Sequence, residues 1–375
     1  MSEIVAITMP KWGLTMTEGT VTTWWKKAGD SFVEGDELVD IETSKINNNY
    51  DAPFAGRLAR IVASEGDTVP VGGLIGISAP EETAAAELDA FAADFSARFV
   101  PETQGEAADT ETPRQTVTVG DKEYRINVIG DLATGDVTVL IHGFSGDLDN
   151  WLFNIEAIAS LGPVISLDLP GHGASDKRLQ SGSLAELSGA VKRVLDALHV
   201  ERCDIVGHSL GCAVAMRIAL DRPALVRSIV LLAPAGLPGP AVNMAFIHGV
   251  VEAQNSRQLL PVLRDLFADP DAATREMADE MMKYKRLDGV DEALAKIAAG
   301  LESGDELAAL QPDLGRLPRT TVIYGQHDRV TGLPDLTALP PGWQVVAVDA
   351  GHMLHMEQVE EINILVVEAL TGADA

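Results

Sequence analysis

Cysteine is scarce in this chain. Its 375 residues include two, Cys203 and Cys212, with no Cys-x-x-Cys pair and no histidine/cysteine cluster at metal-ligand spacing. That excludes a disulfide framework and a zinc module. The sequence reads as a reduced, cytoplasmic protein with two buried thiols and no metal. Positive charge is also in short supply. There are 28 Lys and Arg against 56 Asp and Glu, a formal net charge of −28. Such a polyanion repels nucleic acid and anionic membrane surfaces, so neither is expected as a partner. Long uninterrupted apolar runs are missing too. The least charged stretch, residues 228–251 (SIVLLAPAGLPGPAVNMAFIHGVV), carries Pro234, Pro238 and Pro240, which break a membrane-spanning helix. It reads as a buried strand, a loop and the start of a helix. The opening MSEIVAITMP holds Glu3 and no basic region followed by an apolar core, so no signal peptide is expected.

What is present suffices for two folded domains: hydrophobic residues make up 46% and charged residues 22%. Residues 81–113 change character, with alanine, acids and threonine and few branched side chains, and read as a linker. Within it Leu88, Phe91, Phe95 and Phe99 follow helical spacing. The stripe is either a docking helix or, the favoured reading, a helix packed on a neighbouring domain. Residues 1–80 alternate short strands with Gly-Asp turns and contain a weak repeat. AGDSFVEGDEL (28–38) matches EGDTVPVGGLI (65–75), pairing Gly29 with Gly66, Asp30 with Asp67 and Gly35 with Gly72. Two such copies stack as a small flattened β-barrel with near two-fold symmetry. Lys45, in ETSKI, then falls at a hairpin tip. On spacing alone it is either an edge-strand gatekeeper or a functional lysine.

The run GDSFVEGDELVDIETSKI, with APFAGRLARIVASEGDTVPVGGLIGI behind it, resembles the biotinyl/lipoyl domain family over nearly all of 1–80. The resemblance implies lipoate in amide linkage on Lys45, installed by a lipoate-attaching enzyme. Biotin is the rival cofactor, but Met-Lys-Met marks biotin domains, and here Ser44 and Ile46 flank the lysine. The lysine and lipoyl chain together would make a swinging arm that tethers an acyl group at high effective concentration.

From residue 114 to 375 apolar strands alternate with helices, the pattern of a mostly parallel sheet with helices on both faces. Gly207-His208-Ser209-Leu210-Gly211 fits Gly-x-Ser-x-Gly between an apolar strand and an alanine-rich helix, the context a nucleophile elbow requires. A triad on this elbow runs in the order Ser, acid, His. Asp328 ends the strand-like TTVIYGQHD, and His352 follows 24 residues later. With HGF at 142–144 and DLPGHG at 168–173, the segment resembles the α/β-hydrolase superfamily. That implies Ser209 as nucleophile, His352 as general base and Asp328 as orienting acid, with the amides of Phe144 and Leu210 as oxyanion hole. Asp349 is the rival acid. His355 is expected on a helix face near the site, His172 and His208 as structural, and His142 as shaping the oxyanion loop. Residues 237–318 read as a helical cap that excludes water. Lys283, Lys285 and Arg286 form a basic cluster, read as a solvated helix face with contact to coenzyme A phosphates as the rival.

The fusion of these two halves resembles the acyltransferase components of acetoin dehydrogenase complexes. The His-x-x-x-Asp-Gly signature of the commoner lipoyl-bearing acyltransferases is absent, as is a usual subunit-binding domain. The resemblance implies acetyl transfer from the lipoyl group to coenzyme A, by way of an acetyl-serine. It also implies two partners: a thiamine-diphosphate-dependent acetoin dehydrogenase component and a flavin-containing dihydrolipoamide dehydrogenase. Two alternatives remain open at this level: a lipoyl-tethered serine hydrolase or thioesterase, and a lipoyl carrier with a non-catalytic hydrolase-fold domain.

Overall fold

A computed structural model describes residues 4–10, 18–33, 35–42, 47–52, 54–99 and 115–372. Lys45 lies outside them. The chain divides into two units, Met1–Thr110 and Glu111–Ala375.

In the first unit the strands are β1 (Val5–Thr8), β2 (Glu18–Trp24), β3 (Ser31–Phe32), β4 (Glu37–Glu42), β5 (Asn47–Asp51), β6 (Gly56–Ile61), β7 (Thr68–Pro70) and β8 (Leu74–Ser78). They form two four-stranded sheets, ordered β1-β8-β6-β3 and β5-β4-β2-β7. The repeat explains the symmetry, since β2, β4 and β7 occupy in one sheet the places of β6, β8 and β3 in the other. The two matched Gly-Asp turns close identically. Asp30 Oδ2 accepts from the Lys27 amide at 2.8 Å, and Asp67 Oδ2 from the Ser64 amide at 2.7 Å. Gly29 and Gly66 donate at 2.7 Å to Leu58 and Val21, each on a strand of the other half. Ile7, Val21, Leu38, Ile41, Leu58 and Ile75 fill the core, each burial contributing roughly 1.5–3 kcal/mol. β4 and β5 pair antiparallel up to Glu42 opposite Asn47. Helix α1 (Ala85–Arg98) sets Leu88, Phe91 and Phe95 against Leu74 and Ile77 of β8, so its aromatic stripe is spent on packing.

The second unit holds β9 (Gln115–Val119), β10 (Lys122–Ile129), β11 (Val137–Ile141), β12 (Val164–Leu167), β13 (Cys203–His208), β14 (Val226–Leu232), β15 (Arg319–Gly325) and β16 (Gln344–Val348). They make one sheet ordered β16-β15-β14-β13-β11-β12-β10-β9, parallel from β12 to β16 and antiparallel at the β10–β9 edge. The central strands β11 and β13 are buried at every residue, as strands covered on both faces must be. Alternate side chains confirm the two layers. Val139, Ile141 and Ile205 face the core shared with α3 (Leu184–Ala197) and α4 (Leu210–Asp221). Leu140 and Val206 face the core shared with α2 (Ile155–Ala159) and the helix Val359–Thr371.

Between β14 and β15 the chain leaves the sheet for α5 (Met244–Glu252), α6 (Ser256–Leu263), α7 (Arg275–Lys285), α8 (Val290–Ser303) and α9 (Asp305–Ala308). Asn243 and Thr274 cap α5 and α7 by accepting amide hydrogen bonds, each at 3.2 Å. Here one expectation is corrected. Lys283 is exposed and pairs with Glu280, but Lys285 is only 2% exposed. Its ammonium donates to the Val250 and Val251 carbonyls at 2.5 and 2.7 Å and lies 3.4 Å from Asp291. The unsatisfied carbonyls of a helix C-terminus favour a cation, so this lysine ties α7 to the end of α5 and does not belong to a solvated face. Both cysteines are buried free thiols. Among the described residues no helix is long and apolar enough to cross a membrane, and no metal-binding cluster occurs.

Candidate active site

Parallel strand register gathers the site. Ile141 of β11 lies opposite Gly207 of β13, and Gly325 of β15 opposite Val348 of β16. The loops that follow these strands therefore emerge at one edge of the sheet, where ligands bind in such folds.

Ser209 sits between β13 and α4 with φ 53° and ψ −117°, a strained conformation for a residue with a Cβ. Its amide donates to Leu232 at 2.9 Å, and its carbonyl accepts from Ala235 at 3.2 Å, so the strain is held by pairing to the neighbouring strand. A Cβ at Gly211 would collide with the backbone oxygens of Ile141 and His142. The glycine thus lets α4 start against the end of β11, beside the loop that bears Phe144.

On the other side, His352 Nδ1 is 2.9 Å from Asp328 Oδ2. Asp328 also accepts from the Thr331 hydroxyl at 2.7 Å and from the amides of Val330 and Thr331 at 2.7 and 3.0 Å. Burial alone would raise its pKa. The charge and hydrogen bond of His352 and the Thr331 donors outweigh that and hold it below the ordinary carboxylate value. Asp328 therefore stays ionised and fixes the proton on Nδ1, leaving Nε2 as the acceptor. Asp349 is exposed and engaged elsewhere, 2.8 Å from His327. Thr331 carries no signal in the sequence, since its position three residues after Asp328 resembles an ordinary turn.

Four more histidines surround the pair. His142 donates from Nδ1 to Gly143 at 2.7 Å and accepts on Nε2 from the Leu169 amide at 2.9 Å. His172 accepts on Nε2 from the Ser145 amide at 3.1 Å. His208 Nε2 donates to the carbonyl of His352 at 2.9 Å, joining the elbow directly to the loop of the base. His355 is fully buried against Trp151 and His208. Burial pushes the pKa of His142 down, that of His172 and His208 well down, and that of His355 to about 3. All four are neutral near pH 7 and serve as rigid supports.

Ser209, His352, Phe144 and Leu210 line one cavity of about 100 Å³, together with Phe246, Leu266, Met281 and Leu301 from the segment between β14 and β15. A single water needs roughly 10–15 Å³, so a small acyl group fits. Among the described residues neither the Phe144 nor the Leu210 amide donates to a protein acceptor. The Ser209 hydroxyl makes no hydrogen bond to His352 in this geometry; such contacts tighten when substrate is bound. The sequence-predicted Ser209, Asp328, His352, Phe144 and Leu210 thus meet at one place, and Lys45 falls outside the described residues.

Comparison with known proteins matches residues 138–363 to the family described as the alpha/beta hydrolase family, and residues 5–77 to the biotin/lipoyl family described as biotin-requiring enzyme. The chain is 43% identical to the dihydrolipoyllysine-residue acetyltransferase component of the acetoin cleaving system of Pseudomonas putida, covering 97% of both chains. It is 40% identical to the protein of the same description from Cupriavidus necator, covering 98% of both. Among solved structures, a meta-cleavage product hydrolase from Pseudomonas fluorescens IP01 shares the fold of the second unit. Its TM-score is 0.63 at 24% identity, covering 69% of this chain and 98% of that one. An alpha/beta hydrolase unit behind a biotin/lipoyl-type unit, aligned end to end with such relatives, means that the chain belongs to the family of dihydrolipoyllysine-residue acetyltransferase components of acetoin cleaving systems.

Proposed function

We propose that this protein moves an acetyl group from a dihydrolipoyl thioester to coenzyme A, with Ser209 as the transient acceptor. Lipoate in amide linkage to Lys45 supplies the thiol that presents the acetyl group. The fit of Lys45 to that group is supported by β4 and β5, which pair to Glu42 opposite Asn47 and bracket its four-residue connection.

Within the second unit, His352 Nε2 takes the Ser209 proton as Oγ attacks the thioester carbonyl. Asp328 stabilises the imidazolium that forms. The Leu210 and Phe144 amides receive the developing oxyanion. On collapse the C–S bond breaks and His352 returns the proton to the leaving thiol. The second half runs in reverse: His352 takes the proton of the coenzyme A thiol, sulfur attacks the acetyl-serine, and Ser209 Oγ leaves and is reprotonated. One thioester is exchanged for another.

The observation that carries this reading is the convergence of Ser209, the His352–Asp328 pair and two unpaired amides on one small cavity. As a component of an acetoin cleaving system the chain works with other enzymes. We assign them as a thiamine-diphosphate-dependent component that loads the acetyl group, a dihydrolipoamide dehydrogenase that reoxidises the dithiol, and an enzyme that attaches lipoate.

The test is acetyl exchange between acetyl-coenzyme A and dihydrolipoamide, with free acetate followed in the same assay. Transfer that collapses in Ser209→Ala supports the proposal. Acetate without transfer would make the protein a thioesterase, and an indifferent Ser209→Ala would leave it a carrier. Lys45→Arg is expected to abolish the lipoyl mass increment on the intact protein while leaving exchange with free dihydrolipoamide within about twofold, because the two sites lie on separate units.

A further inference from the structure

Residues Leu266–Ala268, at the cap end of the cavity, are bound to both loops that carry the base and its acid. Leu266 and Met353 line the cavity beside His352. The Met353 amide donates to the Leu266 carbonyl at 3.0 Å. Glu357, half-buried, spans the gap: one carboxylate oxygen accepts from the Ala268 amide at 2.8 Å, the other from the Gly351 amide at 2.9 Å. Arg329, next to Asp328, forks onto the Phe267 and Ala268 carbonyls at 3.3 and 3.4 Å. A Cβ at Gly351 would lie 2.5 Å from the Ala268 nitrogen, so the two backbones touch with no room for water between them. Four hydrogen bonds therefore clamp a three-residue piece of the cap to the residues flanking His352 and Asp328, and a fifth, from Gly351, fixes the Glu357 carboxylate that makes one of them.

We propose that Glu357 and Arg329 are positioning residues that hold this cap segment shut against the base and so make the acetyl-serine react with a thiol and not with water. The inference rests on the acetyl-serine reading above. Either acceptor can complete the second half-reaction. His352 takes a proton from S–H or from O–H, the serine ester C–O bond breaks, and Ser209 Oγ is reprotonated. The product is a thioester in one case and acetate in the other. The intrinsic chemistry does not prevent hydrolysis, so selectivity must come from which acceptor reaches the ester. Leu266, at the start of the clamped segment, lines the same cavity as His352, and neither Glu357 nor Arg329 lines it.

The experiment supplies S-acetyl-dihydrolipoamide and coenzyme A to the full-length protein and measures acetyl-coenzyme A and free acetate together. Wild type is compared with Glu357→Gln, which leaves one acceptor where two amides need one each, and with Arg329→Gln. The expected result is an acetate share about tenfold higher in each variant, the size of effect attached to one lost hydrogen bond to a charged group. A lower total rate with an unchanged acetate share, the mark of a merely structural role, overturns the proposal. If Glu357→Gln does not fold, Arg329→Gln decides by the same ratio, since that side chain is exposed and leaves both Glu357 bonds in place. Wild type that makes no acetyl-coenzyme A would instead refute the transferase reading, and wild type that releases mainly acetate with the clamp intact would refute both.

Discussion

The nucleophile side and the base side of the cavity are held in place by different means. Ser209 is positioned within a short contiguous stretch: β13, a strained turn, and α4 starting on the next residue. Its supports are backbone bonds to Leu232 at the end of β14 and to Ala235 just beyond it. His352 and Asp328 follow two different strands, and their geometry depends on hydrogen bonds from several segments, one local to Asp328 and the others distant in sequence. Thr331 and Val330 hold the carboxylate, His208 holds the His352 carbonyl, and the Glu357 and Arg329 contacts reach into the cap. A strained backbone persists only where its neighbours over-determine it, whereas the His352 side spreads its support over several separate hydrogen bonds. Damage to the first side should therefore be all-or-none, and damage to the second graded.

Ser209→Ala breaks the comparison hardest. Removing the nucleophile is expected to lower transfer on the order of 10⁶-fold, read from initial rates of acetyl exchange, with an unchanged far-ultraviolet circular dichroism spectrum. Asp328→Asn keeps the shape but no longer fixes the His352 tautomer, and a loss of roughly 10⁴-fold in kcat is expected. Thr331→Val removes one of the hydrogen bonds to Asp328 and leaves the backbone donors. A loss of about fivefold follows from roughly 1 kcal/mol, and a Thr331→Ser control should recover it. A Thr331→Val effect as large as that of Asp328→Asn would mean that the base side is as brittle as the elbow.

The smallest effect lies under the oxyanion loop. Asp147 caps the turn Leu148–Trp151. Burial, then the Asp168 and Asp149 carboxylates, push its pKa up to about 6. Its folded pKa exceeds the ordinary value, so between about pH 4 and 6 the folded protein binds more protons than the unfolded one, and stability falls as pH rises through that window. Asp147→Asn keeps a capping oxygen and removes the charge. It should stabilise the protein by about 1 kcal/mol near pH 8 and by nothing near pH 4, as read from urea unfolding midpoints at the two pH values. A gain at both would place the benefit in the cap and not in the charge.

Much of this arrangement was legible in the sequence where the relevant physics is local. The Gly-Asp repeat fixed the two-fold arrangement of the first unit, because each turn carries its own closing carboxylate. The Gly-x-Ser-x-Gly run marked the elbow, because only small residues permit that close approach. Lys285 reads as solvated in the sequence because its partners, Val250 and Val251, lie on another helix, and a basic cluster carries no sign of what will pack over it. Glu357 and the His208 link leave no mark in the sequence for the same reason, since each reaches a segment brought near only by the fold; Thr331 is local to Asp328 but reads as any turn residue. Residue chemistry and short-range pattern thus determined the two fold types and brought out Ser209, Asp328 and His352 as the candidate triad. The choice of Asp328 over Asp349, the burial that keeps the surrounding histidines neutral, and the clamp between cap and base were decided by tertiary structure, since each depends on which distant groups share a small volume from which water is excluded.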